Sequence, residues 1–389
     1  MPDCYIADAW RTPFARLGGP LASLTPQDLA RQVTLPVHRR CPKLPGLCGL
    51  IMGNVLNGRG NLGRYAVLAA ELPSHIPGVT IDRQCASSME SIAQAARDAG
   101  ISERPATYLA GGVESMSQAP FLLSRARRAY DPAAPSFEDV PLTPPGVPGS
   151  NMIDAAEAVI AAERVAREHQ DEFALHSHQR ANAATESGAF AAELEAVTVD
   201  SRRHGPEEVT ADHGPRRDTS IEQLNALKPV RGPEGRVTAG NASGISDGGS
   251  MTVVMNEPAI ERAQLTPLAR IRATACVGLE PQMMGLGPVK ATDELLSREG
   301  IDRDAIACWE INEAFAGQVL ACTRQLRLDA DRINPDGGAI ALGHPLGASG
   351  ARIAGHLAHT LTAHARGTLG VAALCIGGGM GMAMLLEAV

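Results

Sequence analysis

A lone cysteine, Cys85, follows an apolar run and precedes a helical pattern in the segment IDRQCASSMESIAQAARDAG (81–100). The run GVTI (78–81) is typical of the end of a buried strand, and apolar residues recur at helical spacing after the cysteine. A helix N-terminus offers free N–H groups and partial positive charge, which favour a thiolate and lower the pKa of a thiol. We therefore expect Cys85 to be a nucleophile, against the alternative of an inert buried thiol.

A nucleophilic thiol needs a base, and His344 is the candidate. It lies in GGAIALGHPLGASGAR (337–352), a glycine-rich junction between a loop and a helix. The nearby helix N-terminus disfavours an imidazolium, so we expect a neutral imidazole that can accept a proton. The alternative is a structural histidine, which is how we interpret His356, His359 and His364 on the following helix.

Two further stretches carry polar or reactive side chains at strand ends. Cys375 closes a nearly continuous apolar strand before the glycine run of CIGGGMG (375–381), whose N–H groups could bind an oxyanion. Asn312 and Glu313 follow the strand pattern in INEAFAGQ (311–318). A buried polar pair requires partners, and an active site would supply them. The alternative for Cys375 is an inert core thiol.

Strand-like apolar runs alternate with helical patterns in two regions of the chain. The first contains CYIADAW, LIMGNVL, VTI and TYLAGG, and the second contains MTVVM, RIRATAC, AIACWEIN, LGVAALCI and GMAMLLEAV. Such alternation predicts α/β layers with largely parallel sheets, and GGGMG (377–381) predicts a hairpin between the last two strands. From about residue 118 to 249 the chain is rich in proline, glycine and charge, which indicates an excursion with its own loops and helices.

The two α/β regions repeat one order of features. Cys85 is followed by small residues, an alanine-rich helix and the strand TYLAGGVES, while His344 is followed by PLGASGARIAGHLAHTL and the strand LGVAALCI. We interpret this order as a tandem duplication of one fold.

Composition excludes several classes of protein. The chain has 389 residues, 44% hydrophobic and 20% charged, with a net charge of −8, which supports a large core and argues against nucleic-acid binding. Its eight cysteines include no CxxC pair, so we expect neither a zinc site nor a disulfide scaffold, and a reducing cytoplasm fits. No signal-peptide pattern is present, and no apolar run approaches the roughly 20 residues of a membrane span.

Segments spread over nearly the whole chain resemble the thiolase family, in the family's order. They are RTPF, MGNVL, CASSMES, AGGVESMS, HQDEFAL, GRVTAGNASGISDGG, MMGLGPVKA, NEAFA, NPDGGAIALGHPLGASGAR and CIGGGMG. The resemblance implies an α/β fold of two duplicated halves in stacked αβαβα layers with an inserted loop domain. It divides the chain into an N-terminal half (1–117 and 249–264), a CoA-binding loop domain (118–248) and a C-terminal half (265–389).

The resemblance also implies a reaction, in which 3-ketoacyl-CoA and CoA interconvert with acyl-CoA and acetyl-CoA by a ping-pong mechanism through an acyl group on Cys85. His344 matches the histidine that activates this nucleophile, and Cys375 matches the second cysteine, which moves the proton at the α-carbon of the substrate. Asn312 matches the asparagine that holds a water in one oxyanion hole. The N–H groups of Gly377 and Cys85 match the second oxyanion hole.

Coenzyme A thioesters are substrates in this family, so we expect no separate cofactor and no metal. By resemblance, Arg216 and Ser243 fall on CoA contacts, and Ala314 and Phe315 line the pantetheine tunnel. The basic run SRARR (124–128) would add positive charge for the polyanionic ligand, and is equally compatible with a solvated face or a subunit contact.

Four residues depart from the family pattern, namely Ser88, Asn151, Ile153 and Arg231. We expect them to line or flank the acyl pocket and to shift the preference from acetoacetyl-CoA towards chains of about six or more carbons, since each buried methylene adds about 0.8 kcal/mol of binding.

Two alternative functions stay open. One is a decarboxylating ketosynthase-like condensing enzyme, which Cys375 disfavours because such sites combine cysteine with two histidines or with histidine and asparagine. The other is a non-catalytic CoA-binding relative, which would be expected to lack the nucleophile or the base. The resemblance also implies a homodimer or homotetramer.

Overall fold

The apolar runs form strands and the periodic segments form helices in the computed structural model, which describes residues 3–56, 60–126, 128, 136–138, 140–149, 151–201 and 205–389. The strands are β1 (Cys4–Arg11), β2 (Ala15–Arg16), β3 (Leu47–Gly53), β4 (Gly78–Ile81), β5 (Thr107–Ser115), β6 (Leu122–Leu123), β7 (Phe137–Glu138), β8 (Val197–Ser201), β9 (Gly205–Val209), β10 (Ser246–Asn256), β11 (Ala269–Gly278), β12 (Ile306–Ile311), β13 (Leu369–Ile376) and β14 (Met380–Glu387). The helices are α1 (Pro26–Thr34), α2 (Val37–Arg40), α3 (Leu62–Ala69), α4 (Ser87–Gly100), α5 (Met152–Ala162), α6 (Arg167–Ser187), α7 (Ile221–Asn225), α8 (Glu257–Ala263), α9 (Gly287–Glu299), α10 (Ala316–Gln325), α11 (Ala339–Leu342) and α12 (Ser349–Leu361).

The long strands lie in the order β12-β13-β14-β11-β1-β10-β5-β3-β4, with β2 beside β10. Strand β3 runs parallel to β4 and β5, and β12 runs parallel to β13, but the other pairs in this order are antiparallel. The expectation of largely parallel sheets is therefore wrong. The reason is that β14 returns from β13 through the expected hairpin, and β10 enters between β1 and β5 from the inserted segment.

The two halves of the order repeat one arrangement. The path β1-β10-β5-β3 and the path β11-β14-β13-β12 both contain two antiparallel contacts followed by one parallel contact. A helix precedes the third strand of each path, α4 before β5 and α12 before β13. This repetition confirms the duplication that the sequence predicts. The halves join where Cys4–Ile6 of β1 pair with Ala269–Ile271 of β11.

Helices α4 and α12 form the middle layer between the two halves. Ile92 of α4 and Ile353 and Leu357 of α12 are fully buried in one core with inward-facing residues of both sets of strands, such as Val254 and Leu374. Each such side chain contributes about 1.5–3 kcal/mol on burial. Separate cores cover the outer faces, one with α1, α3 and α8 and the other with α9 and α10, which gives the five stacked layers.

The two middle helices approach closely at their N-terminal turns. The Ala351 N–H of α12 donates to the Ser88 hydroxyl oxygen of α4 at 2.8 Å. A Cβ on Gly350 would lie 2.5 Å from the Met89 nitrogen, so only glycine fits at that contact. Ser88 therefore satisfies one of the free N–H groups of the first turn of α12.

The segment between β5 and β10 packs on the outer faces of both halves. Helices α5 and α6 contribute Ile160 and Phe173 to the core that also contains α9 and α10, while Val197 of β8 joins the core around α1 and α3. Some of its residues, among them Arg127 of the basic run, lie outside the described residues. The expected boundaries at residues 118 and 248 stay a prediction.

Strand β4 is an edge strand, and its residues are half-buried or exposed, with Val79 at 44% exposure. The expectation of a buried strand before Cys85 is therefore wrong. A parallel partner, β3, covers only one side of β4 in the described part of the chain. Among the described residues, no helix combines the length and apolarity that a membrane crossing requires.

A largely buried ionic network ties β1, the inserted segment and α12 together, with only Asp336 partly exposed. Arg11 donates to Glu193 at 2.5 Å and to both carboxylate oxygens of Asp212, and the imidazole of His356 contacts Glu193 at 2.9 Å and Asp336 at 3.1 Å. Burial alone would lower the pKa of His356, but the charge of Glu193 and the two hydrogen bonds raise it to about 10. His356 is therefore an imidazolium at neutral pH.

We expect His356→Ala to lower the free energy of unfolding by about 3 kcal/mol at pH 7, the low end for breaking a buried pair because Arg11 still faces Glu193. Since the folded pKa of His356 is raised from 6.5 to about 10, its contribution is complete below pH 6.5 and is lost as pH rises through 10. Urea unfolding should show a difference between wild type and variant that shrinks from pH 7 to pH 10. The exposed His75→Ala serves as the control, and a pH-independent difference would contradict the assignment.

Candidate active site

The turn between β4 and α4 fixes the position of Cys85. Gln84 has a left-handed backbone, with φ of +48°, which is costly for a residue with a side chain and must be held by its surroundings. Its N–H donates to Asp82 at 2.7 Å, its carbonyl accepts from the Ser87 hydroxyl at 2.6 Å, and Ser87 in turn accepts from the Arg83 N–H at 2.9 Å. The turn therefore presents Cys85 immediately before the first turn of the helix.

A cavity of about 160 Å³, which we call the reaction cavity, contains most of the residues singled out in the sequence. Its lining residues are Cys85, Met116, Met152, Ser243, Gly244, Ile245, Met284, Ala314, Phe315, His344, Leu346, Cys375 and Gly377. Both candidate cysteines and the candidate base, contributed by different halves of the fold, therefore face one space.

The thiol of Cys85 is protonated at rest. Burial raises its pKa to about 11, although the backbone N–H groups of Gly377 and of Cys85 itself act to lower it. The expectation that the helix N-terminus lowers the pKa of this thiol is therefore wrong for the unliganded site, because desolvation outweighs the nearby N–H groups. Cys85 consequently needs a base to become a nucleophile.

His344 is a neutral base held in one tautomer. The Ser349 hydroxyl donates to the Pro345 carbonyl at 2.8 Å, so its oxygen accepts from the Nδ1–H of His344 at 2.6 Å. Nε2 is then the unprotonated nitrogen, and the Asn312 side-chain amide lies 3.4 Å from it. Burial, assisted by the charge of Arg352, lowers the pKa of His344 to about 4. The neutral state is as expected, but burial and Arg352 are its main causes.

Asn312 contacts the imidazole of His344 and is fully buried just after β12. Its Oδ1 atom has no hydrogen-bond partner among the described residues. A buried acceptor without a partner costs about 1–3 kcal/mol, so such a site is suited to holding a water molecule. Asn312 thus has one side-chain atom directed to His344 and another free for a further group.

Cys375 is buried at the end of β13, directly before the turn that leads into β14. Burial, followed by the neighbouring thiols of Cys85 and Cys322, raises the pKa of Cys375 well above its ordinary value of 9.0. Gly378 and Gly379 have φ values of +85° and +82°, which allow the tight turn that aims the Gly377 N–H at Cys85. Cys375 is therefore a neutral thiol that can donate a proton.

The expected CoA contacts divide between two cavities. Ser243, Ala314 and Phe315 line the reaction cavity, and the Ser243 N–H donates to the Ala314 carbonyl at 3.0 Å. Arg216 instead lines an adjoining cavity of about 50 Å³ together with Arg16 and His178, and Gly244 lines both spaces. Burial, together with the charges of Arg216 and Arg16, lowers the pKa of His178 to about 4. His178 is therefore neutral, and the positive charge of this adjoining cavity comes from the two arginines.

Sequence reasoning missed Glu114, a fully buried carboxylate at the end of β5. Its oxygens accept from the Asn54 side chain at 3.0 Å and from the N–H groups of Val55, Leu56 and Gly347 at 2.9–3.1 Å. Burial raises its pKa to about 7. Glu114 joins the loop after β3 to the loop that carries His344. The signal was present, because an acidic residue in the apolar run TYLAGGVES requires buried donors.

Glu313, which follows β12 in the other half, is a second buried carboxylate near the site. It is fully buried and accepts from the Ser177 hydroxyl at 2.6 Å, the Asn334 amide at 2.9 Å and the Ile340 N–H at 3.1 Å. These contacts hold the glycine-rich loop before His344. Glu313 therefore has the buried partners that its burial requires, but none of them lines the reaction cavity, contrary to the expectation that an active site would supply them.

The residues that depart from the family pattern lie outside the lining of the reaction cavity. Asn151 caps α5, since its Oδ1 accepts from the N–H groups of Ile153 and Asp154, and Arg231 forms an exposed ion pair with Asp154 at 2.5 Å. Ser88 caps α12, as described above. None of the four residues lines the reaction cavity, and of the expectation that they line or flank the acyl pocket only the flanking position holds, for Asn151 and Ile153 beside Met152. Their neighbour Met152 is the residue of this stretch that reaches the cavity.

Comparisons with known proteins place the chain in one family. The model for the thiolase N-terminal domain matches residues 4–258, and the model for the thiolase C-terminal domain matches residues 265–388. The chain is 42% identical to a beta-ketoadipyl-CoA thiolase of Pseudomonas aeruginosa and 43% identical to an acetyl-CoA acetyltransferase of Escherichia coli, covering 100% of this chain and 99% of each relative.

Solved structures agree with this. A Bacillus anthracis acetyl-CoA acetyltransferase superimposes with a TM-score of 0.93 at 36% identity, covering 100% of this chain and 99% of that one. Human mitochondrial 3-ketoacyl-CoA thiolase in complex with CoA superimposes with a TM-score of 0.89 at 34% identity, covering 100% and 98%. The αβαβα arrangement expected from the sequence is confirmed.

We expect Glu114→Gln to lower the free energy of unfolding by about 1–3 kcal/mol, because the amide would turn its N–H₂ group towards backbone donors that now face a carboxylate oxygen. The amide protons of Val55, Leu56 and Gly347 should then exchange faster, which hydrogen-exchange mass spectrometry would detect. Glu103→Gln, at an exposed position, is the matched control. Unchanged exchange in both loops would show that Glu114 does not hold them.

Proposed function

The chain belongs to the thiolase family and is a CoA-dependent acyltransferase, and from this premise we propose that Cys85 carries the acyl group between two thioesters by a ping-pong mechanism. The observation that carries the proposal is the single cavity that holds Cys85, His344 and Cys375. Each of these residues has the protonation state that its step requires. The reaction is 3-ketoacyl-CoA plus CoA in equilibrium with acyl-CoA plus acetyl-CoA.

In the cleavage direction, His344 Nε2 takes the proton of the Cys85 thiol as the sulfur attacks the 3-keto carbonyl. Ser349 keeps the other imidazole proton on Nδ1, so Nε2 is available for this transfer. Hydrogen bonds to the thioester oxygen of the substrate, which becomes the enolate oxygen, would come from a water held by Asn312 and from the imidazolium of His344. The free Oδ1 of Asn312 supports this role.

The carbon–carbon bond then breaks, leaving an acyl group on Cys85 and an acetyl-CoA enolate. Carbon is a poor leaving group, so the enolate needs a proton donor, and the neutral thiol of Cys375 supplies it. The resulting Cys375 thiolate deprotonates the incoming CoA thiol, whose sulfur attacks the acyl group on Cys85. The proton on His344 returns to Cys85, and the N–H groups of Gly377 and Cys85 would stabilise the oxyanion that forms at the carbonyl bonded to the Cys85 sulfur.

We propose that coenzyme A enters over Ser243, Ala314 and Phe315, with its phosphates near Arg216 and Arg16. The chain carries a net charge of −8, so a polyanion needs a local cationic site. The adjoining cavity with its two arginines meets that need. No separate cofactor or metal enters the proposed mechanism.

A decarboxylating condensing enzyme is the second candidate, and the cysteine at position 375 argues against it. Only a decarboxylating enzyme would condense a malonyl thioester with an acyl group and release carbon dioxide, so an assay with a malonyl thioester separates the two candidates. A non-catalytic relative would leave the nucleophile without a base, whereas here the two share one cavity.

We further propose that the protein works as a homo-oligomer in the cytoplasm. The edge strand β4 offers a surface for a second copy. All eight cysteines are free, as a reducing compartment would keep them. The N-terminal half, loop domain and C-terminal half keep the boundaries given above as a proposal.

Acetyl-CoA alone should leave an acetyl group on Cys85, detectable by peptide mass spectrometry. Cys85→Ala should lose the adduct and lower kcat by several orders of magnitude, because the covalent route is removed. The control Cys48→Ala changes a cysteine outside the lining of the reaction cavity and should keep both the acetyl adduct and the wild-type kcat. Intersecting initial-rate lines at all concentrations would contradict the ping-pong order.

The roles of His344 and Cys375 should separate experimentally. His344→Ala should slow both acetylation of Cys85 and overall turnover, because the base is lost. Cys375→Ser should still acetylate Cys85 but fail to exchange the acetyl-CoA methyl protons with deuterated solvent, which NMR would show. Condensation of acetyl-CoA by Cys375→Ser at the wild-type rate would reduce Cys375 to a packing residue.

A further inference from the structure

A second, larger cavity opens from the same nucleophile. It has a volume of about 590 Å³, within the roughly 300–1,000 Å³ typical of ligand pockets. It shares Cys85, Met152, Leu346 and Gly377 with the reaction cavity, so the two spaces meet at the reactive sulfur. We call it the side cavity.

The walls of the side cavity are largely apolar. Besides the shared residues, its apolar lining consists of Val55, Leu56, Ala119, Pro120, Phe121, Leu122, Phe137, Val140 and Leu142. The rings of Phe121 and Phe137 contact each other edge to face at 5.5 Å, although 85% and 74% of their surfaces are exposed. Exposed aromatic surface of this kind gains stability when an apolar group covers it.

The apolar wall begins next to the reacting atoms. A Cβ placed on Gly377 would lie 3.1 Å from a methyl carbon of Leu142 and 3.5 Å from the sulfur of Met152. Leu142 and Met152 therefore lie against the residue whose N–H is aimed at Cys85. The tail of an acyl group bonded to Cys85 would contact these two side chains first.

The charged side chains in the described lining of the side cavity are of one sign. Its titratable lining residues, apart from Cys85, are Asp82 and Glu138, and no lysine or arginine belongs to its described lining. The guanidinium of Arg83, in the same turn as Asp82, is engaged with Glu90 at 3.1 Å. Within the described lining, a negatively charged group in this space would therefore find two carboxylates and no cationic side chain.

We propose that the side cavity holds the acyl tail transferred to Cys85 and selects uncharged aliphatic tails over tails that end in a carboxylate. This rests on the proposed function, because it assumes an acyl group on Cys85. Several relatives are named for beta-ketoadipyl-CoA, whose tail ends in a carboxylate. This chain would differ from them in substrate class, since a carboxylate among apolar side chains and two like charges is disfavoured.

The test compares two substrates with equal numbers of carbons, 3-oxohexanoyl-CoA and 3-oxoadipyl-CoA, which differ in the terminal carboxylate. The kcat/KM for thiolysis should be about tenfold or more higher for 3-oxohexanoyl-CoA, from the missing cation and the two like charges. Added salt should narrow the ratio, because it screens the like charges. Any effect of salt on the shared CoA portion cancels in the ratio.

Variants locate the effect. Asp82→Asn combined with Glu138→Gln should lower the ratio of the two kcat/KM values, and Leu142→Lys should lower it further by supplying a cation beside the tail. Glu208→Gln, an exposed acid on β9, should leave the ratio unchanged. The ratio is independent of how much of each variant folds correctly.

Equal values for the two substrates, or a higher value for 3-oxoadipyl-CoA, would overturn the proposal while leaving the thiolase reaction intact. A ratio unaffected by Leu142→Lys would also overturn it, since the side cavity would then be covered by another group, such as a second copy of the chain. Failure of CoA to cleave either substrate would instead overturn the proposed function and this inference with it.

Discussion

The close contact between the N-terminal turns of α4 and α12 is the constraint on which the site depends. Cys85 lies directly before α4, and His344 lies on the loop that leads into α12. The two can share a cavity only if the helices approach closely, and the Ala351 N–H to Ser88 hydrogen bond together with the bare backbone of Gly350 allows this. The apolar layer around both helices then fixes their positions relative to both sets of strands.

Burial decides the electrostatics of the site. Desolvation keeps both cysteines protonated and His344 neutral, so the resting site holds no charge on its reacting groups. Proton transfer then accompanies each bond change, because no ion is stored beforehand. Glu114 and Glu313 accept hydrogen bonds from backbone N–H groups of the segments around the site and so hold those segments in place.

Much of the fold could be predicted from the sequence, because its strands are short apolar runs and its helices have clear periodicity. The direction in which the strands pair could not be predicted, since nothing in the run MTVVM shows that β10 enters between β1 and β5. The reactive residues could be found because each lies next to a glycine-rich run or the start of a helix. The pKa of Cys85 could not, because it depends on how deeply the long-range packing buries the sulfur.

The roles of individual residues were hardest to predict where a side chain forms a hydrogen bond or an ion pair with a neighbour instead of lining the acyl pocket. Asn151 and Ser88 cap helix starts, and Arg231 pairs with Asp154. Each of these depends on which segment lies next to the side chain in space. The motif alone places such a residue near a pocket, but only the packed structure shows which backbone or side-chain group it binds.

The repeated strand order has a consequence for how this chemistry can change over time. Cys85 and His344 stand before equivalent helices, α4 and α12, of the two halves. A symmetric pair of identical halves would carry the same residue at both places, either two nucleophiles or two bases. Joining the halves in one polypeptide lets each position mutate independently, so an ancestral symmetry could be broken without losing the frame that holds the positions together. Asymmetric catalysis is thus open to this fold because its two halves are inherited as one chain.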